Sequence, residues 1–273
     1  MTNTNNKTNK LTNKRLSIQI SLSGLSFCIL DVSKHSIVSY KQYNKDHNLT
    51  PLEHLDFLKF VVDTEHLNET SFNQVLLIYR NELSTLVPKS LFDENNIANY
   101  LKFNNKILPT DFISYDELNS EMVTVYVPLI NINNYVYDTF GAFTYKHFST
   151  VLIENILNRK QTTEEKTMHV NVDEGLFEVL VTEGKKIIFF NSFFYNTKED
   201  FIYYILFTSE QLKMDPEKFP LIFTGEIDET SDLYQIAYKY VRHVTIKNPA
   251  AEYAVDAKIE NDNFNTILLN SFS

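Results

Sequence analysis

The sequence predicts an α/β protein built from two similar β-β-β-α-β lobes. Three observations carry this. Apolar and polar residues alternate in two separate stretches, Leu16 to Tyr43 and Met168 to Tyr195, with the period of a half-buried strand. Each stretch runs into a segment with helical spacing and then into a short continuous apolar run. The two stretches also superimpose without a gap at the offset that sets Ile20 on Val170. Ile18 then meets Met168, Phe27 meets Phe177, Ile37 meets Ile187 and Tyr40 meets Phe190.

Residues 1–14 are Asn, Thr and Lys with little to bury, and read as a disordered tail. In the first strand Leu16, Ile18, Ile20 and Leu22 share one face, with Ser17, Gln19, Ser21 and Ser23 opposite. Gly24 permits a turn. Phe27, Ile29 and Leu30 mark a second strand, and Ile37, Val38, Tyr40 and Tyr43 a third, giving an antiparallel meander. Pro51 suits the first position of a helix carrying Leu52, Leu55, Leu58, Val61 and Val62. Val75 to Tyr79 reads as a strand covered on both faces. A strand follows from Leu83 to Val87, stopped by Pro88, then a helix through Leu91, Ile97, Tyr100 and Leu101. Val123 to Val127 is a strand ended by Pro128, 130–139 a helix, Phe143 to Phe148 a strand, and Val151 to Leu157 a helix.

The polar run Arg159 to Lys166 marks a boundary. The pattern then restarts with Met168, Val170 and Val172, followed by Phe177, Val179 and Leu180. Gly184 turns a hairpin into the strand Ile187 to Tyr195. Phe189 to Phe194 is apolar on both faces, as a central strand would be, with an interaction edge as the second reading. A helix with Phe201, Ile202, Ile205 and Leu206, a strand at Leu221 to Phe223, a helix through Leu233, Ile236, Ala237 and Tyr240, and a closing strand His243 to Ile246 complete the unit. The expected organisation is a tail (1–14), a first lobe (15–160), a second lobe (161–247) and a C-terminal extension (248–273), in which Ile267-Leu268-Leu269 docks on the body.

A chain of 273 residues, 43% of them hydrophobic, buries a core without covalent staples. The single Cys28 lies in a strand and reads as an inert buried thiol in a reducing, cytoplasmic compartment. No apolar run approaches the ~20 residues of a membrane span, and the N-terminus lacks a signal-peptide core, so no membrane insertion is expected. The net charge is −10. The first fifteen residues carry four cations and no acid, leaving −14 on the remainder, which repels nucleic-acid backbones. There is no G-x-x-x-x-G-K-[ST] loop, no G-x-S-x-G elbow and no H-E-x-x-H, and the seven histidines have no local metal spacing. His147 and His169 read as hydrogen-bonded structural histidines. Asp111, Asp116, Glu117 and Glu121 read as a solvated acidic loop, and Asp228 to Asp232 as a helix cap.

The opening meander Leu16 to Tyr43, Leu86-Val87-Pro88 before a helix, Val125-Tyr126-Val127-Pro128 and Thr144-Tyr145-Lys146-His147 carry a resemblance. Over residues 15–246 the chain resembles a bacterial family, domain of unknown function 3822. Its doubled unit resembles the actin, Hsp70 and sugar-kinase ATPase superfamily, in which two ribonuclease-H-like lobes close around ATP. The resemblance implies nucleotide loops at Ser21, Ser23 and Gly24 in the first lobe, at Asn171, Asp173 and Gly175 in the second, and at Gly225. The superfamily places Asp-x-Gly in each first turn, the Asp orienting waters on Mg²⁺. Here Ser21 and Asn171 match the carboxylate positions, so the site reads as degenerate. The expectation is a non-catalytic binding or scaffold protein with an unknown protein partner and no cofactor. The alternative is an ATP-binding switch or small-molecule kinase that uses ATP and magnesium through Gly24, Asp173, Gly175 and Gly225. A pilus-type assembly adaptor is a third reading, by analogy of fold.

Overall fold

The computed structural model describes residues 13–103, 106–158, 164–247, 253–256, 259 and 265–272. Most of the expected tail and the boundary after Asn158 fall outside the described residues. Lys14, assigned to the tail, instead opens the first strand.

Alternation produces the first meander: β1 (Lys14–Ile20), β2 (Gly24–Asp31) and β3 (Ser36–Asn44) are antiparallel neighbours. Helix α1 (Pro51–Thr64) follows. Thr50 Oγ1 accepts from the Glu53 amide while the Glu53 carboxylate accepts from the Thr50 amide, and Pro51 occupies the first turn. The helix lays Leu58, Val61 and Val62 on the sheet, and β4 (Gln74–Tyr79) returns parallel to β1.

Between β4 and the rest of this sheet the chain builds an insert. β5 (Ser84–Pro88), α2 (Ile97–Lys102), β6 (Ser114–Glu117) and β7 (Met122–Tyr126) form it, with strand order β5-β7-β6. Val87, Leu101, Val123, Val125 and Val127 are its own small core. The solvated acidic loop is corrected here, because Asp116 and Glu117 lie in β6. Asp116 accepts from the Tyr126 hydroxyl (3.0 Å), the His147 amide (2.8 Å) and the Thr150 hydroxyl (2.7 Å). Burial raises its pKa. A four-residue polar strand has too short an alternation to register in sequence.

Helix α3 (Ile130–Phe140) leads to β8 (Thr144–His147), parallel to β4, which gives the order β3-β2-β1-β4-β8. Helix α4 (Phe148–Asn158) follows with no intervening loop, so Phe148 belongs to a helix rather than to the expected strand. The second lobe repeats the plan: β9 (Lys166–Asp173), β10 (Leu176–Glu183), β11 (Lys186–Phe194), α5 (Lys198–Gln211), β12 (Pro220–Gly225), α6 (Asp232–Tyr240) and β13 (His243–Ile246). Its order is β11-β10-β9-β12-β13. Helix α5 has the same 14-residue length as α1 and the same cap, with Thr197 and Asp200 in the roles of Thr50 and Glu53. β14 (Ala254–Val255) extends the first sheet beside β3, and α7 (Thr266–Asn270) docks with Ile267, Leu268 and Leu269 buried, as expected.

Each lobe has its own core. A third core, around α4 and α7, joins β2, β3 and β4 to Leu180, Ile187 and Phe190 of the second lobe. Two further corrections follow from the pairing. β11 is the edge strand of its sheet, not a central one. Its two faces are nonetheless occupied, Ile188, Phe189 and Phe193 by the second-lobe core and Ile187 and Phe190 by the shared core. The match between lobes is also shifted over the first two strands. Ile18 and Phe27 occupy the positions of Val170 and Val179, and the bulge at Ile29/Leu30 that of Val181/Thr182, an offset of 152 rather than 150, while the third strand keeps 150, with Ile37 at the place of Ile187 and Tyr40 at that of Phe190. Side chains alternate with period two, so a slip of two residues leaves the in-out pattern unchanged.

Candidate functional site

The carboxyl ends of β1, β4, β9 and β12 open on one cleft between the lobes, with a volume of about 1040 Å³. In open α/β sheets such strand ends are where ligands are bound. Six of the seven sequence candidates line it: Ser21, Ser23, Asn171, Asp173, Gly175 and Gly225. Gly24 does not. A Cβ there would lie 2.6 Å from the Tyr43 carbonyl oxygen, so the glycine serves the close approach of β2 to β3. With the corrected offset Ser21 stands opposite Asp173, and Asn171 falls at the place of Gln19.

The residue that organises the cleft is Arg80, directly after β4. Its guanidinium crosses from the first lobe to the second, donating to the Asp173 carboxylate and, at 3.0 Å, to Glu178 Oε1. It lies 4.2 Å from the centre of the Phe148 ring at the start of α4. Glu178 is 3% exposed and also accepts from Asn171 Nδ2 (2.9 Å), whose Oδ1 accepts from the Thr224 hydroxyl (3.2 Å). Two ion pairs and two further hydrogen bonds thus link the end of β4 to β9, β10 and β12. Two charge-assisted bonds from one planar fork are what arginine, rather than lysine, supplies.

The lobes meet with opposite charges at equivalent places. The Arg80 amide donates to the Ile20 carbonyl and the Glu226 amide to the Val172 carbonyl, both at 2.8 Å. Where the first lobe carries a cation, the second carries an anion. Desolvation raises the Glu226 pKa; the Arg80 guanidinium opposes this and the Glu174 carboxylate adds to it. The charged lining is Lys45 and Arg80 against Glu82, Asp173, Glu174, Glu178 and Glu226, a net −3. Among the described residues no group of His, Cys, Asp and Glu is arranged to hold a metal ion.

His147 and Ser149 also line the cleft, with Ser149 Oγ 2.7 Å from His147 Nδ1. This is a helix cap rather than an activated nucleophile. Nδ1 accepts from the Ser149 amide (3.2 Å), and Nε2 then donates to the Asn81 carbonyl (3.1 Å). Burial drives the His147 pKa down to about 4. The unfolded chain binds this proton near pH 6.5 and the folded one near 4, so stability is full above 6.5 and falls as the pH drops towards 4. Between pH 6.5 and 5 the loss expected from this residue is about 2 kcal/mol. Urea midpoints at both pH values, compared with those of His147→Gln, isolate it. An unchanged pH slope in the variant would remove the assignment.

Sequence reasoning missed Arg80 and Glu178, whereas Glu226, the acid expected to repel phosphate if it faced the cleft, does line it. Arg80 had a signal: it is one of four arginines, and it ends the apolar run Val75 to Tyr79 where a parallel strand meets its ligand edge. Glu178 interrupts the apolar run Phe177 to Val181. Cys28 is buried, with its thiol pKa pushed up by desolvation, as expected of an inert side chain. No helix among the described residues is long and apolar enough to cross a membrane.

The model of a family described as protein of unknown function (DUF3822) matches residues 3–244. No curated protein matches the sequence. Among solved structures, the chain is similar to a Bacteroides thetaiotaomicron protein of unknown function with an actin-like ATPase fold. The TM-score is 0.77 at 23% identity, over 88% of this chain and 92% of that one. It is also similar to the PilM-PilN type IV pilus biogenesis complex, with a TM-score of 0.58 at 11% identity, over 91% of this chain and 92% of that one. These likenesses are of fold: the two ribonuclease-H-like lobes stand in an actin-like ATPase arrangement.

Proposed function

The chain belongs to the DUF3822 family, and from that premise we propose that it is a non-catalytic binding protein whose interlobe cleft is latched by Arg80. The observation that carries this reading is the guanidinium bridge to Asp173 and Glu178. The resemblance assigns Asp173 to a phosphate loop, where its carboxylate would face hydrated magnesium. Here that carboxylate is already neutralised by a cation from the opposite lobe. Ser21, its counterpart in the first lobe, brings no charge, and a lining of net −3 opposes a triphosphate. These residues do not fit Mg²⁺-ATP, and the electrostatic preorganisation that phosphoryl transfer needs is lacking on both sides. A protein partner suits the reading, as PilM is found with PilN in the pilus biogenesis complex.

The alternative, an ATP-binding switch or small-molecule kinase, draws on Asp173, Gly175 and Gly225, all of which line the cleft. Thermal unfolding with and without Mg²⁺-ATP separates the two. A ligand present at a hundred times its Kd stabilises by about 2.7 kcal/mol. The expected result is no rise in Tm at about 5 mM nucleotide and no phosphate release. A rise of several degrees together with turnover overturns the proposal in favour of the alternative.

A further inference from the structure

Asp173 and Glu178 are held by Arg80, but Glu174 and Glu226 are not. Glu174 lies in the β9–β10 turn and Glu226 directly follows β12. The parallel pairing of Gly225 with Val172 brings the two segments together. Both side chains are exposed, both line the cleft, and among the described residues neither makes an ion pair. Their mutual repulsion has no structural benefit. A second, independent feature lies across the cleft. Gln19, on β1, lines the same space and is 3% exposed, yet its Oε1 has no hydrogen-bond partner. A buried acceptor left unpaired costs stability, and sites that keep one are poised for a donor. Two unpaired carboxylates and an orphan acceptor ask for one chemistry, a cation rich in N–H donors.

We propose that the mouth of this cleft is a receptor for an ammonium or guanidinium group, bound between Glu174 and Glu226 with Gln19 Oε1 as a neutral acceptor deeper in. The inference rests on reading the cleft as a binding site rather than a phosphoryl-transfer site. The cation has two possible sources, a free polyamine or a basic side chain of a protein segment, and the chemistry at the carboxylates is the same for both. Lys45 and Arg80 oppose an added cation, but the lining remains net −3 with both counted, so the cleft still attracts one.

The test is isothermal titration of the full chain, in about 0.15 M salt so that long-range attraction to the acidic body is screened. Spermidine and an acetylated, amidated lysine pentapeptide are the two probes. At least one is expected to bind at a single site. Glu174→Gln with Glu226→Gln is expected to weaken it by about tenfold, and Gln19→Met by a few-fold. The double variant Glu199→Gln, Glu210→Gln, on α5 away from the cleft, is the charge-matched control and should change little. Tighter spermidine binding assigns the free amine, and tighter peptide binding the protein segment. If neither probe binds at about 5 mM, or if the α5 control loses as much affinity as the cleft pair, the proposal is wrong. Nucleotide binding with turnover would instead overturn the proposed function, so the two failures are distinguishable.

Discussion

Replacing Arg80 with alanine is expected to destabilise the protein by roughly 3–5 kcal/mol, a fall in Tm of roughly 10 °C. The cost does not come from the Coulombic energy of the bridge. It comes from what is left behind. Glu178 is 3% exposed, and without Arg80 its carboxylate keeps only the Asn171 amide as a partner. An uncompensated charge in such a place is expensive, whereas Asp173, whose side chain is 33% exposed, recovers much of its hydration. Arg80→Lys should lose less, because an ammonium keeps the charge but cannot present two parallel N–H bonds to two carboxylates.

A rescue separates charge burial from loss of packing. Arg80→Met combined with Glu178→Met and Asp173→Asn removes both signs together and leaves an apolar side chain over the Phe148 ring. Well-packed replacements of buried ion pairs are often neutral, so the triple variant should recover most of the stability lost by Arg80→Ala. Chemical unfolding of the three proteins under one set of conditions is the measurement. A loss below about 1 kcal/mol for Arg80→Ala would make the bridge an ordinary surface pair and remove the latch.

The lobes were readable in the sequence because each is built from local patterns. Leu16, Ile18 and Ile20 alternate, Thr50 and Thr197 each precede a capped helix, and Val75 to Tyr79 is covered on both faces. The latch was not readable, since Arg80 meets Asp173 and Glu178 at separations of 93 and 98 residues. Nothing in the composition near Arg80 specifies a partner that distant; only the docking of one sheet against the other does. The edge position of β11 was hidden for a related reason. Phe189, Phe190 and Phe193 are apolar because both faces of the strand are packed, and face burial carries no information about which strand lies alongside. The two-residue slip between the lobes shows the same limit. It kept Ile18, Ile20 and Phe27 on core positions while moving the site, pairing Ser21 with Asn171 when the backbone sets it opposite Asp173.

Gly225 is where the structural and functional explanations of a residue compete directly, and Gly225→Ala decides between them. The backbone there has φ +90°, and a Cβ would sit 2.1 Å from the Val172 carbonyl oxygen and 2.9 Å from its nitrogen. Val172 belongs to β9, which is held between β10 and β12 and cannot retreat without breaking one of the two ladders. The left-handed backbone costs about 1–2 kcal/mol for an alanine and the overlap a further 1–3, so a loss of roughly 2–5 kcal/mol is expected. Gly141→Ala provides the reference. That glycine also has a positive φ, +81°, but its Cβ would meet nothing within 4 Å, so only a backbone cost of about 1–3 kcal/mol applies. The difference between the two variants measures the contact of β12 with β9. If Gly225→Ala proves as mild as Gly141→Ala, the strand junction does not require the glycine, and its place in the cleft would need a ligand to explain it. If the large loss is found, the glycine that most resembles a nucleotide-loop residue is there to let two strands meet.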